Sequence, residues 1–340
     1  MTPNKDEIAE AARLIREGEI VVFPTETVYG LGADALNPDA VARIFQAKGR
    51  PGDNPLIVHL ADVDGLDIVA GEPDVVAHHL LSAFAPGPLT VVVPAGPELP
   101  RIVTAGLDTV AVRIPRHPVA HELLVRSGRP VAAPSANRSG EPSPTTLAMA
   151  RRSLGDRPSA YLDGGPCDIG LESTVVLVRD RTVTILRPGA VSAADMRREL
   201  PDVEVRTGGG ATTDLAASPG TRHSHYQPRA DVILFENAEE LNRWLEDTTG
   251  DEVGVICSQA TAGALEQRPA RRGESPLLGR HLRTYSDVSE YARRLYAWLH
   301  EFDDIGVSTV VAEYPDSVGI GDALRDRLER SSSRRFIGRR

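Results

Sequence analysis

Residues 207–230, TGGGATTDLAASPGTRHSHYQPRA, carry no apolar period of either two or 3.6 residues. They are rich in Gly, Ala, Thr and Ser, the composition of a linker. Such a stretch cannot run through a core, so a chain of 340 residues divided by it must fold as two units of ordinary size.

Upstream, strand and helix patterns mix irregularly. Asn4 and Glu7 fit a capping box before a helix over 5–16. Further helices are expected over 38–47, 75–84, 118–127, 145–154 and 192–200. Strands are expected over 20–23, 56–60, 89–93, 109–114, 131–133, 160–162, 174–178, 183–186 and 203–205. This mixture points to an α+β sheet rather than a regular βαβ repeat. Downstream, strands over 231–235, 253–257, 281–285 and 307–312 alternate with helices over 238–247, from a cap at Ser286 or Asp287 to about 302, and over 321–330, the pattern of a small α/β layer fold. Val288, Tyr291, Leu295, Trp298, Leu299 and Phe302 lie on one helical face. The tail over 330–340 reads as disordered.

The net charge of −10 argues against a broad nucleic-acid-binding face but leaves room for a local anion pocket. Cys167 and Cys257 make neither a disulfide framework nor a zinc knuckle. His223 and His225 in the linker lack further metal ligands. No stretch reaches the roughly 18 apolar residues of a membrane span, and the N-terminus is acidic where a signal peptide is basic; the expected location is the cytoplasm. Of 38 basic residues only Lys5 and Lys48 are lysines. A compact ammonium kept where Arg is used almost everywhere else suggests a place that a planar fork cannot fill.

Chemistry gathers in four places. In VVFPTETVYGLGADAL, an apolar run ends at Pro24, three polar residues come next, and Gly30 and Gly32 bracket Leu31. The near match to G-x-G-x-x-A fails as a dinucleotide fingerprint, because six residues separate the strand from Gly30 and Asn37-Pro38 interrupts the helix such a fingerprint needs. The glycines read either as a plain turn or as a place where the backbone turns away from a ligand. Lys48-Gly49-Arg50-Pro51 delivers two cations to a constrained loop, although cations also suit a helix C-terminus. Ser135 and Asn137 come after a strand and are either phosphate or ribose contacts or plain turn formers. His59, Arg113 and Arg187 sit in or beside strands, where each is either a buried ion pair or part of an anion-lined cleft.

The segments PTETVYGLG, KGRP, NPLIVH, APGPLTVVV, VAVRIP, APSAN and LESTVV stand in one order. Together they closely resemble the YrdC-like threonylcarbamoyl-AMP synthase family over residues 5–205, and the linker resembles that of its long, two-domain form. The resemblance implies a twisted mixed α/β sheet around a concave cavity over 1–206. It also implies a linker over 207–230 that covers the active site and a Rossmann-like domain over 231–340. It implies that ATP with Mg²⁺, bicarbonate and L-threonine give threonylcarbamoyl-AMP and pyrophosphate. A separate threonylcarbamoyl transferase complex would then modify tRNA, which this chain would contact indirectly or weakly.

By the same resemblance, Lys48 and Arg50 are catalytic and hold the nucleotide with Asn54, Thr109, Ser135, Asn137, Ser143, Arg187 and Tyr226. Thr27, His59, Arg113 and Ser173 surround threonine. No side chain is assigned to the metal. Ala133 departs from members that carry a hydroxyl there. Two rivals fit less well. An RNA-binding module is opposed by the net charge, the arginines from Arg325 to Arg340 notwithstanding. Hydrogenase-maturation carbamoyl transferases are larger and carry zinc-binding cysteine pairs.

Overall fold

The computed structural model describes residues 3–208, 226–248, 252–267, 281–332 and 336–337. The chain divides into two compact units near residue 223, and Gly140–Pro142 belong to the second. Most of the linker, with His223 and His225, lies outside the described residues.

The first unit opens with α1 (Lys5–Arg16), whose Asn4 side chain accepts from the N–H of Asp6 and Glu7 while Glu7 reaches back to Asn4 N, the expected capping box. Then come β1 (Val21–Phe23), β2 (Gly30–Asp34), α2 (Pro38–Lys48), β3 (Ile57–His59), α3 (Leu66–Val69), α4 (Val75–Phe84), β4 (Leu89–Pro94) and β5 (Thr109–Arg113). They are followed by α5 (Pro118–Ser127), β6 (Val131–Ala132), α6 (Leu147–Leu154), β7 (Ala160–Tyr161), β8 (Thr174–Arg179), β9 (Thr182–Arg187), α7 (Ala193–Glu199) and β10 (Glu204–Thr207). The strands form one mixed sheet in the order β10-β9-β8-β4-β5-β3-β6-β2-β1-β7.

The two faces of this sheet are covered differently. Helices α2, α4, α6 and α7 bury Val41, Ile44, Leu80, Leu154 and Met196 in the main core. On the other face, α1 and α5 pack Ile15, Leu123 and Leu124 on Val21, Phe23 and Val131. Val131 stands opposite His59, His59 opposite Arg113, and Arg113 opposite Thr90. Paired residues point to one side, so these polar residues lie on the same face as the α1–α5 pair, over neighbouring strands. There the only apolar cluster among the described residues is small: Ile57, Val92, Ala111, Val175, Leu177 and Leu186.

Strand β2 corrects the reading of the glycine pair. Gly30 and Gly32 do not turn the chain; they are extended and paired with Phe23 and Val21. A Cβ on Gly32 would meet Phe23 and Val131 side-chain carbons at 2.7 Å each. The glycines are there so that those side chains can pack, not to spare a ligand.

The second unit holds β11 (Asp231–Phe235), α8 (Ala238–Asp247), β12 (Val253–Ser258), α9 (Gln259–Glu266), β13 (His281–Tyr285), α10 (Val288–Ile305), β14 (Thr309–Glu313) and α11 (Gly321–Ser331). Its four strands are all parallel, ordered β11-β14-β12-β13. The expected face of α10 is buried at Tyr291, Leu295, Trp298, Leu299 and Phe302, and Asp287 is its cap. The tail expected to be disordered is ordered where it is described: α11 runs through Ser331, and Phe336 bridges Leu234 while its ring meets Tyr314 edge-on. An exposed edge of β11 and an apolar Phe-Ile pair explain this. Among the described residues no helix is long and apolar enough to cross a membrane.

Candidate active site

Away from α1 and α5, the same face of the first unit's sheet carries a buried polar row. His59 ends β3, Arg113 ends β5, Thr90 lies near the start of β4, and Ser173 immediately precedes β8. Thr90 Oγ1 and Ser173 Oγ are 2.7 Å apart, and Arg187 donates to Ser173 through Nε to the carbonyl (3.1 Å) and Nη2 to Oγ (3.2 Å). Arg187 reaches this face through a bulge. Val176 pairs with Ile185 but Val175 pairs with Arg187, so Leu186 is an extra residue on β9. A regular ladder would set Arg187 beyond Val175 and on the far face.

Arg113 enters a buried ion pair, one of the two roles open to an Arg in a strand. Its Nη2 lies 2.7 Å from Glu26 Oε1, with the side chains 4% and 2% exposed. Nη1 donates to Thr27 Oγ1 (2.9 Å) and Nε to Gly87 O (3.2 Å), while Arg116 N–H donates to Glu26 Oε2 (3.1 Å). Burial alone would raise the Glu26 pKa. The Arg113 guanidinium and the backbone donors outweigh it and hold the carboxyl below the usual carboxylate range. His59 moves further: burial, with Arg113 adding, lowers its pKa to about 3, so the ring is neutral. Its Nδ1 is buried without a hydrogen-bond partner, and its ring stands edge-on to Phe23 at 6.0 Å.

Lys48, only 3% exposed, ends α2 before Gly49, which takes a left-handed cap at φ 60°. Its Nζ donates to Ser135 O at 2.5 Å and to Asn137 O. The ammonium thus braces a loop that runs beside β2, where Leu31 N–H donates to Pro134 O and Ala136 N–H to Tyr29 O. Two carbonyls converging on one point in a buried space suit a compact cation rather than a guanidinium. Arg50 folds back onto its own loop, donating to Asn54 O (3.2 Å) and Pro55 O (2.9 Å). Asn54 is fully buried. Ser143 Oγ donates to Glu172 Oε1 at 2.6 Å, beside Ser173 in sequence.

One candidate stands apart from the row. Thr109 shares a face with Arg113 but begins β5 where Arg113 ends it, about 13 Å along the strand. Tyr226 belongs to the second unit, where its ring stacks on Tyr296 at 5.5 Å and the Arg327 guanidinium lies 5.4 Å from it. Ala133 is buried with the cluster under α1 and α5.

Three residues went unassigned in the sequence: Glu26, Thr90 and Glu172. Glu26 had a signal, because a strand Arg flanked by apolar residues demands a counter-charge, but nothing in the sequence says which acid supplies it. Thr90 and Glu172 carried none beyond sitting beside candidate residues.

The family Sua5_yciO_yrdC, described as Telomere recombination, matches residues 13–189. Residues 191–333 match Sua5_C, described as Threonylcarbamoyl-AMP synthase, C-terminal domain. The threonylcarbamoyl-AMP synthase of Bacillus subtilis is 40% identical over 343 residues, covering 99% of this chain and 96% of that protein. That of Pyrococcus abyssi is 41% identical over 335 residues, covering 96% and 94%. A crystal structure of P. abyssi Sua5 complexed with L-threonine superposes with a TM-score of 0.86 at 38% identity, covering 99% of this chain and 97% of that one. Both the mixed sheet and the parallel second unit thus have counterparts along nearly the full length of the chain, and the chain belongs to the Sua5/YrdC family in its two-domain Sua5 form.

Proposed function

We propose that the chain is a threonylcarbamoyl-AMP synthase, a nucleotidyltransferase that joins L-threonine, bicarbonate and ATP and releases pyrophosphate. The observation that carries this reading is relatedness to synthases of that name across nearly the whole of both chains. The polar row supports it, since the buried His59 Nδ1, which lacks a hydrogen-bond partner, stands beside Arg113 and suits a small polar ligand.

In the chemistry, the neutral threonine amine takes up bicarbonate, losing water, to give a carbamate. A carbamate oxygen attacks the α-phosphorus of ATP, and the bond to the bridging oxygen of pyrophosphate breaks. Both reactants are anions, so the site's work is to neutralise and align them. Arg113, Thr27, His59 and Ser173 hold threonine, with Arg113 on its carboxylate. Arg50, Asn54, Thr109, Ser135, Asn137, Ser143, Arg187 and Tyr226 serve the nucleotide. Lys48 acts there by fixing the loop over 134–137 and by adding positive charge. Mg²⁺, arriving with ATP, would supply charge neutralisation for the triphosphate beside Lys48 and Arg50. The product passes to a threonylcarbamoyl transferase in the cytoplasm for tRNA modification, and this chain needs no tight hold on tRNA.

The test is pyrophosphate release by purified protein with ATP, Mg²⁺ and bicarbonate and each amino acid in turn. Release that requires both threonine and bicarbonate, with the adenylate as product, supports the reading. Its absence from folded protein overturns it.

A further inference from the structure

The hydrogen bonds around Arg113 run in one direction, set by how many hydrogens each donor has. Thr25 Oγ1 has one hydrogen and lies 2.6 Å from Val28 O, which can only accept. Thr25 Oγ1 also accepts from the N–H of Thr27 and of Val28, at 3.2 Å each; with its own hydrogen on Val28 O, the donor in the 2.8 Å contact between Thr25 and Thr27 is Thr27. Thr27 Oγ1 in turn accepts from Arg113 Nη1. Its hydrogen is committed, so toward a ligand this hydroxyl can only accept. Arg113 uses three of its five N–H bonds, on Gly87, Thr27 and Glu26. The other two have no acceptor among the described residues, though the residue is 3% exposed. Glu26 fixes the plane of the guanidinium from behind, being held itself by Arg116 N–H.

Resting on the threonine-site reading above, we propose that Thr25 and Glu26 are positioning residues for amino-acid recognition. Touching no substrate, they orient an array that offers two N–H bonds to an α-carboxylate and one lone pair to an N–H or O–H of the same molecule. Without Thr25 as acceptor, the Thr27 hydroxyl rotates and presents its hydrogen where the substrate also brings one. Without the charge of Glu26, the guanidinium loses its fixed plane. Both defects fall on threonine and spare ATP, since Lys48 and Arg50 act on other segments, the loops over 134–137 and 54–55.

The experiment uses the full chain carrying Thr25→Val or Glu26→Gln. It follows threonine-dependent pyrophosphate release, with KM for threonine and for ATP measured separately, and a melt for each variant. The expected result is a threonine KM raised about tenfold in either variant, with the ATP KM within about twofold of the parent. Threonine KM unchanged in both variants, or both KM values rising together, overturns the proposal. Should Glu26→Gln fail to fold, Thr25→Val decides together with Thr25→Ser, which keeps the acceptor for Thr27 Oγ1 and for the N–H of Thr27 and Val28 and should keep the parent threonine KM. A parent chain without threonine-dependent release would instead sink the functional reading, and this proposal with it.

Discussion

Lys48 shows how one side chain serves fold and site together. Its ammonium satisfies two carbonyls of the loop that carries Ser135 and Asn137. Lys48→Ala should leave those carbonyls unpaired, at a cost of about 1–3 kcal/mol, and remove most pyrophosphate release while the protein stays folded; Lys48→Arg should not restore activity. Turnover and urea unfolding measured on both variants check this, and a fully active Lys48→Ala enzyme would refute the assignment. Buried titratable groups set a second expectation. His59 has a folded pKa of about 3 against about 6.5 unfolded, so its contribution is complete above pH 6.5 and drains away as pH falls toward 3. His117, lowered chiefly by burial, adds in the same direction. Glu26, also lowered, contributes above its ordinary range and is lost only below about pH 4.5. Unfolding free energy should therefore fall between pH 6.5 and 4.5, by at most about 1.4 kcal/mol per pH unit for each histidine. His59→Gln should flatten that slope, which urea titrations across this range would detect.

At the scale of elements, most strands and helices were legible because their caps and apolar periods are local. Asn4 with Glu7 marked α1, and the Tyr291–Leu295–Trp298 stripe marked α10. What failed was decided by partners far along the chain. Strand β2 reads as a glycine turn until Phe23 and Val131 are seen filling the places of its missing side chains. The helix α9, QATAGALE, has too few large apolar residues to show a stripe. The bulge at Leu186 depends on pairing with β8 and leaves no trace in β9 itself. The site was legible as residue types in order, but the bond from Glu26 to Arg113 joins positions 87 apart. The packing account of β2 is open to a direct check. Gly32→Ala should destabilise by about 1–3 kcal/mol, more than Gly30→Ala, whose added carbon would sit at 3.2 Å from Phe23. Melting curves of the pair would rank them.

On the scale of the whole molecule, each unit has a core of its own. Leu295→Ala, at a fully buried position of α10, should cost the second unit about 2–5 kcal/mol. Calorimetry should show one transition moving down and the other staying in place; a single transition that shifts as a whole would argue against independent cores. The scarcity of lysine gives the folded chain a further property. Only two side chains bear a primary amine, Lys5 at the exposed start of α1 and Lys48 in the interior. An acylating reagent should therefore mark Lys5 within seconds and reach Lys48 only when the loop it braces lets go. The added mass on one peptide becomes a clock for that opening, with Lys5 as the built-in standard, and no label need be engineered.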